Sequence, residues 1–317
     1  MNIIPFNEQL IPEASRLFIA GFNQQRIMSP NLPNRMASTP VVEKKLCTLL
    51  DRVSMAAISD RKLVGYLGAF LVDDFRGAKR KAAYVPVWAH AAVPGGSREI
   101  YNALYRSASR EWAKEGCQLH AISMLTYDPH TIQTWFWNGF GLSVVDAIRS
   151  IQPLADNTHT DLQIKKAGFE DIPEMVILET EHWQHYAQPP VFMVPQEPDD
   201  AAAFKEFLST AANSVWTAWS GEQLAGYMKF ENSSFGASEI VESDTTIAIT
   251  GAFVRPAFRR RKAAYALLNA ALHDYTAQGF LRCSVDFESF NIEAASFWPK
   301  YFNPVCFSMF RVPENSG

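Results

Sequence analysis

The residues best placed to do chemistry form a basic cluster ahead of a helical stretch. Arg255, Arg259, Arg260, Arg261 and Lys262 precede Ala263 to Tyr275, where Leu267, Leu268, Ala271 and Leu272 recur at helical spacing. A helix start carries partial positive charge and N–H groups with no intrahelical acceptor. Cations placed there repel that charge and one another. The arrangement makes sense if a polyanion such as a pyrophosphate docks on the N–H groups. A solvated basic turn is the other reading of the same residues.

Other residues are chemically capable. Asp286 and Glu288 flank the exit of the strand expected at Cys283 to Phe287, and alternation turns both to one face, opposite Phe287. They are a general base or a surface pair at a strand exit. His182-Trp183-Gln184-His185-Tyr186 brings two imidazoles three residues apart, but no third ligand stands nearby to complete a zinc site. Cys283 has a nucleophilic atom, yet a mid-strand thiol without an adjacent base reads as a small buried apolar residue. Glu239, Glu242 and Asp244 lie in the polar stretch Asn232 to Asp244, read as loop.

The elements that must hold these residues come twice. Lys62-Leu63-Val64-Gly65-Tyr66-Leu67 matches Gln223-Leu224-Ala225-Gly226-Tyr227-Met228, with Gly65 and Gly226 separated by 161 positions. Each follows an apolar strand and a polar two-residue turn, Asp60-Arg61 or Gly221-Glu222, so both read as β-hairpins. Val93 and Val254 keep the 161 spacing, and so do Phe136-Trp137 and Phe297-Trp298. Between them, Leu104, Ala108, Trp112 and Gly116 pair with Leu267, Ala271, Tyr275 and Gly279 at a spacing of 163. The first half is therefore shorter in the loop that carries the arginines of the second. Duplication of one domain explains the pattern, giving domains at 1–153 and 160–317 joined by the polar stretch Pro153 to Thr160. The second half reads as βααβββαβαβ, with helices opened by Asp171 and Asp199-Asp200 and a closing strand at Val305 to Val312.

This order, with Val254-x-Pro256-x-Phe258-Arg259 before one helix and Asn291-x-x-Ala294-x-x-Phe297-Trp298-x-Lys300 after the next strand, resembles the GNAT superfamily of acyl-CoA-dependent N-acyltransferases. The resemblance implies an α/β fold of two tandem GNAT-like domains, each a mixed, mostly antiparallel sheet flanked by helices. It implies acetyl-CoA as co-substrate. Phe253 and Val254 would offer backbone groups to the pantetheine arm, and Arg259, Arg260, Arg261, Lys262, Ala263 and Ala264 would wrap the pyrophosphate. Asn291 would reach the thioester region, with Phe297 and Trp298 against the thiol arm. His182, His185 and Tyr186 would line the acceptor pocket, or pack against the first half. Lys262 replaces the family's usual glycine, and can still offer its N–H if its φ is negative. Trp298 replaces a frequent tyrosine that acts as general acid. The first half has Val93-Pro94-Gly95-Gly96-Ser97-Arg98-Glu99 in the equivalent loop and His130 in the position of Asn291, so it is read as degenerate in cofactor binding.

The implied reaction moves an acetyl group from acetyl-CoA to an amine by direct attack in a ternary complex in the second domain, with Asp286 and Glu288 as candidate bases. The alternative is a catalytically weak CoA-binding sensor or scaffold. The totals agree. With 317 residues, 48% hydrophobic and 20% charged, the chain has enough apolar material for packed cores. A net charge of −4 argues against nucleic acid as partner and leaves a small-molecule amine. Four cysteines without a paired spacing read as reduced thiols, and no apolar run suits a signal peptide or a membrane span, so a cytoplasmic, metal-free protein is expected.

Overall fold

In a computed structural model of the chain, residues 1–155, 159–232 and 237–314 are described. Parts of the expected connection Pro153 to Thr160, of the loop Asn232 to Asp244, and residues 315–317 lie outside them. The chain divides into two compact units, Met1–Asp146 with Asn303–Gly317, and Ala147–Phe302.

The first unit runs β1 (Asn2–Pro5), α1 (Ile11–Met28), α2 (Thr39–Cys47), β2 (Val53–Ser59), β3 (Lys62–Val72), β4 (Ala82–Val85), β5 (His90–Ala92), α3 (Ser97–Lys114), β6 (Leu119–Leu125) and α4 (Pro129–Trp137). β7 (Gly141–Ser150) then carries the chain onward. The second unit contains β8 (Gln163–Lys166), α5 (Ile172–Ala187), α6 (Ala201–Ser209), β9 (Ser214–Ser220), β10 (Gln223–Glu231), β11 (Thr246–Val254), α7 (Ala263–Ala277), β12 (Arg282–Glu288) and α8 (Ile292–Phe297). The last strand is β13 (Asn303–Arg311). Within the first unit the strand order is β1-β2-β3-β4-β6-β13, with β5 also on β3. Within the second it is β12-β11-β10-β9-β8, and the end of β7 follows β12.

Both expected hairpins form. Asp60 and Arg61 take positive φ of 49° and 64°, the geometry of a tight hairpin turn, and Gly221 takes 59°. Each hairpin is interrupted by a bulge at the corresponding place, Val64 in β3 and Ala225 in β10. Gly65 and Gly226 follow, where the next strand comes too close for a side chain. A Cβ on Gly226 would stand 2.8 Å from the Phe253 carbonyl oxygen, and one on Gly65 would stand 3.0 Å from that of Ala91. Each unit has one parallel pair, β4 with β6 and β11 with β12, connected through α3 or α7. The paired helix residues occupy equivalent places: Leu104, Leu267, Ala108, Ala271, Trp112 and Tyr275 are all buried. Gly116 and Gly279 end the helices with φ of 73° and 87°.

Three registers read from the sequence need correction. Val93 and Arg255 both donate their N–H to the bulge carbonyl, of Val64 and Ala225, so Val93 matches Arg255 rather than Val254. Downstream, the 163 spacing persists. Asp128 caps α4 and Asn291 caps α8, so Asp128, not His130, stands in the place of Asn291. Buried Trp135 then matches buried Trp298, whereas Phe136 and Trp137 are exposed. The closing strand does not close the second half: β13 pairs antiparallel with β6, Cys306 opposite Leu125 and Arg311 opposite His120. Asp200 caps α6 as expected, but the Asp171 side chain accepts from Lys165 and the Gly168 N–H rather than capping α5.

In the second unit, α5 and α6 cover the sheet face that carries Val215, Leu224 and Tyr227. Tyr275 of α7 reaches Ser214 and Phe230, which alternation turns to the other face. This layering fixes the end of α5 and the start of α7 against β11.

Candidate functional site

β11 and β12 run side by side only from Thr246/Arg282 to Ile249/Val285 and then part. The cause lies in β11. Thr250 is an extra residue against β10, since Lys229 faces Gly251 and Phe230 faces Ile249. A bulge bends and twists its strand, and here it turns Thr250–Val254 away from β12 while β10 continues to pair with them. Thr250 Oγ1 is buried at the fork without a hydrogen-bond partner among the described residues.

The basic loop lies beyond this fork. Its φ is −63° at Arg259, +66° at Arg260 and +63° at Lys262. Left-handed residues beside right-handed ones make the N–H concavity of an anion nest; the loop supplies left-handed Arg260 and Lys262, while Arg259, with ψ of 154°, is extended. The first bond of α7 runs from the Ala266 N–H to the Lys262 carbonyl, at 3.0 Å. The N–H groups of Arg260 to Ala264 thus have no acceptor among the described residues. The condition of a negative φ at Lys262 is not met: lysine adopts the left-handed conformation for which glycine is suited. The five cations are also not equivalent. Arg255 holds Glu181 through two 2.8 Å bonds. Arg259 binds Glu293 and, at 3.2 Å, the Val254 carbonyl, which is therefore engaged by the protein itself. Arg261 binds Asp161 and lies over the Phe258 ring. Arg260 and Lys262 form no ion pair among the described residues.

The end of α5 faces the parted segment of β11. His182 stacks on Phe253, ring centroids 5.2 Å apart, and packs on Tyr186 at 4.4 Å. His185 lies 5.8 Å from Phe253. Burial lowers the pKa of His185, and the charge of Arg259 lowers it further. Below His182 is a buried polar group that the sequence reading missed. Tyr227 donates to the Glu179 carboxylate, and His182 Nδ1 lies 2.8 Å from the Tyr227 oxygen. Burial raises the pKa of Glu179, but the nearby His182 ring, the charge of Lys229 and the Tyr227 bond outweigh it and hold the carboxyl at about 2. Its sequence signal was available: Glu179 and His182 are three apart on one helix face, and Tyr227 recurs in both hairpins.

Asp286 and Glu288 lie on β12 beyond its last pairing with β11, and both are partly buried. Asn291 is buried and spends its side-chain oxygen on the Ala294 N–H as cap of α8. Phe297, Trp298, Tyr301 and Phe302 form an aromatic group, and Tyr301 extends it to Tyr265 in the first turn of α7. Cys283 is fully buried and its thiol is pushed up to about 12, so it is no nucleophile at neutral pH. No group of three His, Cys, Asp or Glu residues among those described is placed to hold a metal.

The first unit has the same fork, closed by a side chain. β4 leaves β6 after Val85/Ile122, and β5 returns at His90. His90 Nε2 donates to the Ser123 carbonyl at 2.9 Å, and Nδ1 accepts from Tyr101 at 2.9 Å. Ser123 and Leu125 hold the positions of Asp286 and Glu288, so that fork has no carboxylate on the strand end.

Residues 178–303 match the model of the acetyltransferase (GNAT) family. The segment is a GNAT acetyltransferase domain. It takes in the end of α5, the hairpin, the fork, the basic loop and the aromatic group. No curated protein matches the chain. A GCN5-related N-acetyltransferase from Sphaerobacter thermophilus is similar in fold, at 11% identity and a TM-score of 0.55, over 98% of this chain and 95% of that one. A GCN5-related glucosamine N-acetyltransferase region in a fungal multi-domain β-N-acetylglucosaminidase is also similar, at 10% identity and a TM-score of 0.54, over 98% of this chain and 38% of that one. At these identities the likeness is one of fold, and it extends beyond the GNAT segment.

Proposed function

We propose that the second unit binds acetyl-CoA and transfers its acetyl group to a small-molecule amine, and that the first unit is a duplicated sister fold without a site of its own. The observation that carries this reading is the run of free N–H groups from Arg260 to Ala264 beyond the β11–β12 fork. A polyphosphate fits them: the nest offers convergent donors, Ala263 and Ala264 keep the approach clear, and Arg260 and Lys262 have charge to spare. Arg259 and Arg261 shape the loop through Glu293 and Asp161. The freed edge of β11 at Thr250–Phe253 offers main-chain groups to an extended arm, with Phe253, Phe297 and Trp298 as its apolar walls.

Bound acetyl-CoA supplies an acetyl group activated as a thioester. The chain's own residues must bring the amine to it and remove a proton, since an alkylamine with a pKa near 10 is mostly ammonium at neutral pH. Asp286 and Glu288, on the freed end of β12, are the carboxylates we assign to drawing in the ammonium. His185 and Tyr186 are assigned to the wall of the acceptor pocket, together with His182. Holding both reactants in one fork supplies much of the rate by orientation alone.

Calorimetric titration of the full chain with acetyl-CoA is expected to show one site, and Arg260→Glu with Lys262→Glu to weaken it at least about tenfold. No heat, or an affinity indifferent to these reversals, would end the reading. A buried Trp298, which has no hydroxyl to protonate a leaving thiolate, favours a second reading of binding without turnover. Thiol release over a panel of amines separates the two.

A further inference from the structure

One buried side chain, placed so far only in the wall of the acceptor pocket, is built to take a proton. His182 is 4% exposed, and its Nε2 has no hydrogen-bond partner among the described residues. The bonds around it fix its tautomer. The Tyr227 hydroxyl has one proton, and that proton goes to Glu179. The 2.8 Å contact between Tyr227 and His182 Nδ1 must then be donated by Nδ1–H. In its neutral form the ring then has its proton on Nδ1 and a bare lone pair at Nε2. The ionised Glu179 stands 3.9 Å from Nδ1, ready to balance a charge on the ring.

We infer that His182 Nε2 is a proton acceptor for the incoming amine, with Tyr227 and Glu179 as positioning residues. The inference rests on the acetyl-transfer reading of the same fork. In the step, one N–H bond of the acceptor ammonium breaks and an Nε2–H bond forms. The amine keeps the electron pair for attack, and the imidazolium that results is paired with Glu179. Nothing is oxidised or reduced. The stacking of His182 on Phe253 sets the ring beside the parted segment of β11.

The charged and titratable neighbours are consistent with this role. α5 contributes Glu179, His185 and Tyr186, and β10 contributes Tyr227 and Lys229, the latter paired to Asp199. β11 faces the ring with Phe253, and Arg259 and Glu293 act on His185. The other two buried histidines do not share the arrangement. His90 has both nitrogens satisfied. At His120 the chain runs the other way: Arg311 donates to Tyr105, and Tyr105 donates to Nδ1. Its unpartnered Nε2 therefore carries a proton, beside the Trp112 ring at 4.9 Å.

Long-range proton–nitrogen spectra of the full chain, with His182 assigned by its loss in His182→Gln, test the tautomer. At neutral pH Nδ1 is expected to carry the proton and Nε2 none, and Glu179→Gln or Tyr227→Phe is expected to populate the other tautomer. A protonated Nε2 in the parent chain would overturn the inference. His182→Gln is also expected to keep acetyl-CoA affinity within about twofold while thiol release to primary amines at pH 7 falls about 100-fold or more. Retained affinity with unchanged thiol release refutes His182 as acceptor and leaves the acetyl-CoA reading in place. Absence of acetyl-CoA binding in the parent chain refutes both.

Discussion

Lys262→Gly should make the protein more stable while weakening its hold on an anion. A non-glycine residue in the left-handed region costs roughly 1–2 kcal/mol, and Lys262 occupies it with φ of 63° and ψ of 18°. Glycine removes that cost but returns about 0.4–1 kcal/mol through the greater freedom of the unfolded chain. Removing a cation from a helix N-terminus adds about 0.3–1 kcal/mol in favour of folding. Lys262→Ala shares the charge loss and keeps the strain, so the difference between the two variants isolates the backbone. Lys262→Gly is expected to exceed Lys262→Ala by about 0.5–1 kcal/mol, read as about 1–4 °C in thermal unfolding. Both variants should lose affinity for acetyl-CoA to a similar extent, because both lose the same charge. A Lys262→Gly variant no more stable than Lys262→Ala would refute the left-handed assignment, and with it the nest.

Gly226→Ala should destabilise by about 1–3 kcal/mol in urea unfolding, because its Cβ would meet the Phe253 carbonyl and Val254 at 2.8 and 2.9 Å. Burial lowers His90 to about 4 from an ordinary 6.5. The unfolded chain then binds more protons, so stability present above pH 6.5 falls as pH drops toward 4, by on the order of 3 kcal/mol. His90→Gln should flatten that slope, and an unchanged slope would mean that another group causes it. Arg255→Lys should cost about 1–2 kcal/mol, since lysine cannot reproduce the two parallel bonds to Glu181, and the loss should persist at high salt because Arg255 is largely buried.

The sequence made the repeat legible because hairpins write themselves locally: turn residues, alternation and a glycine where backbones meet. The paired helix residues were equally readable from their period. What failed depended on geometry rather than pattern. The one-residue shift at Val93 comes from connections of unequal length between the hairpin and the returning strand, which carry no periodic pattern. Lys262 gave no sign of its φ, because lysine is tolerated in many conformations and the strain shows only in the backbone. Two of the loop arginines looked free because Asp161 and Glu293, which hold them, lie far away in sequence. Glu179, Tyr227 and His182 were each visible as residues. Their hydrogen bonding was not, since it required α5 to lie on the β10 face. The partner of the last strand was illegible for a similar reason: an apolar strand does not state which edge it will join.

That last strand has a consequence for synthesis. β6 needs β13 to cover its edge, and β13 is made after the whole of the second unit. A chain still on the ribosome, or one cut short before residue 303, carries an N-terminal half with a bare row of strand donors and acceptors, a template for aggregation. The half written first is thus the half completed last, and a stop codon ahead of residue 303 should leave the earlier unit without its last strand.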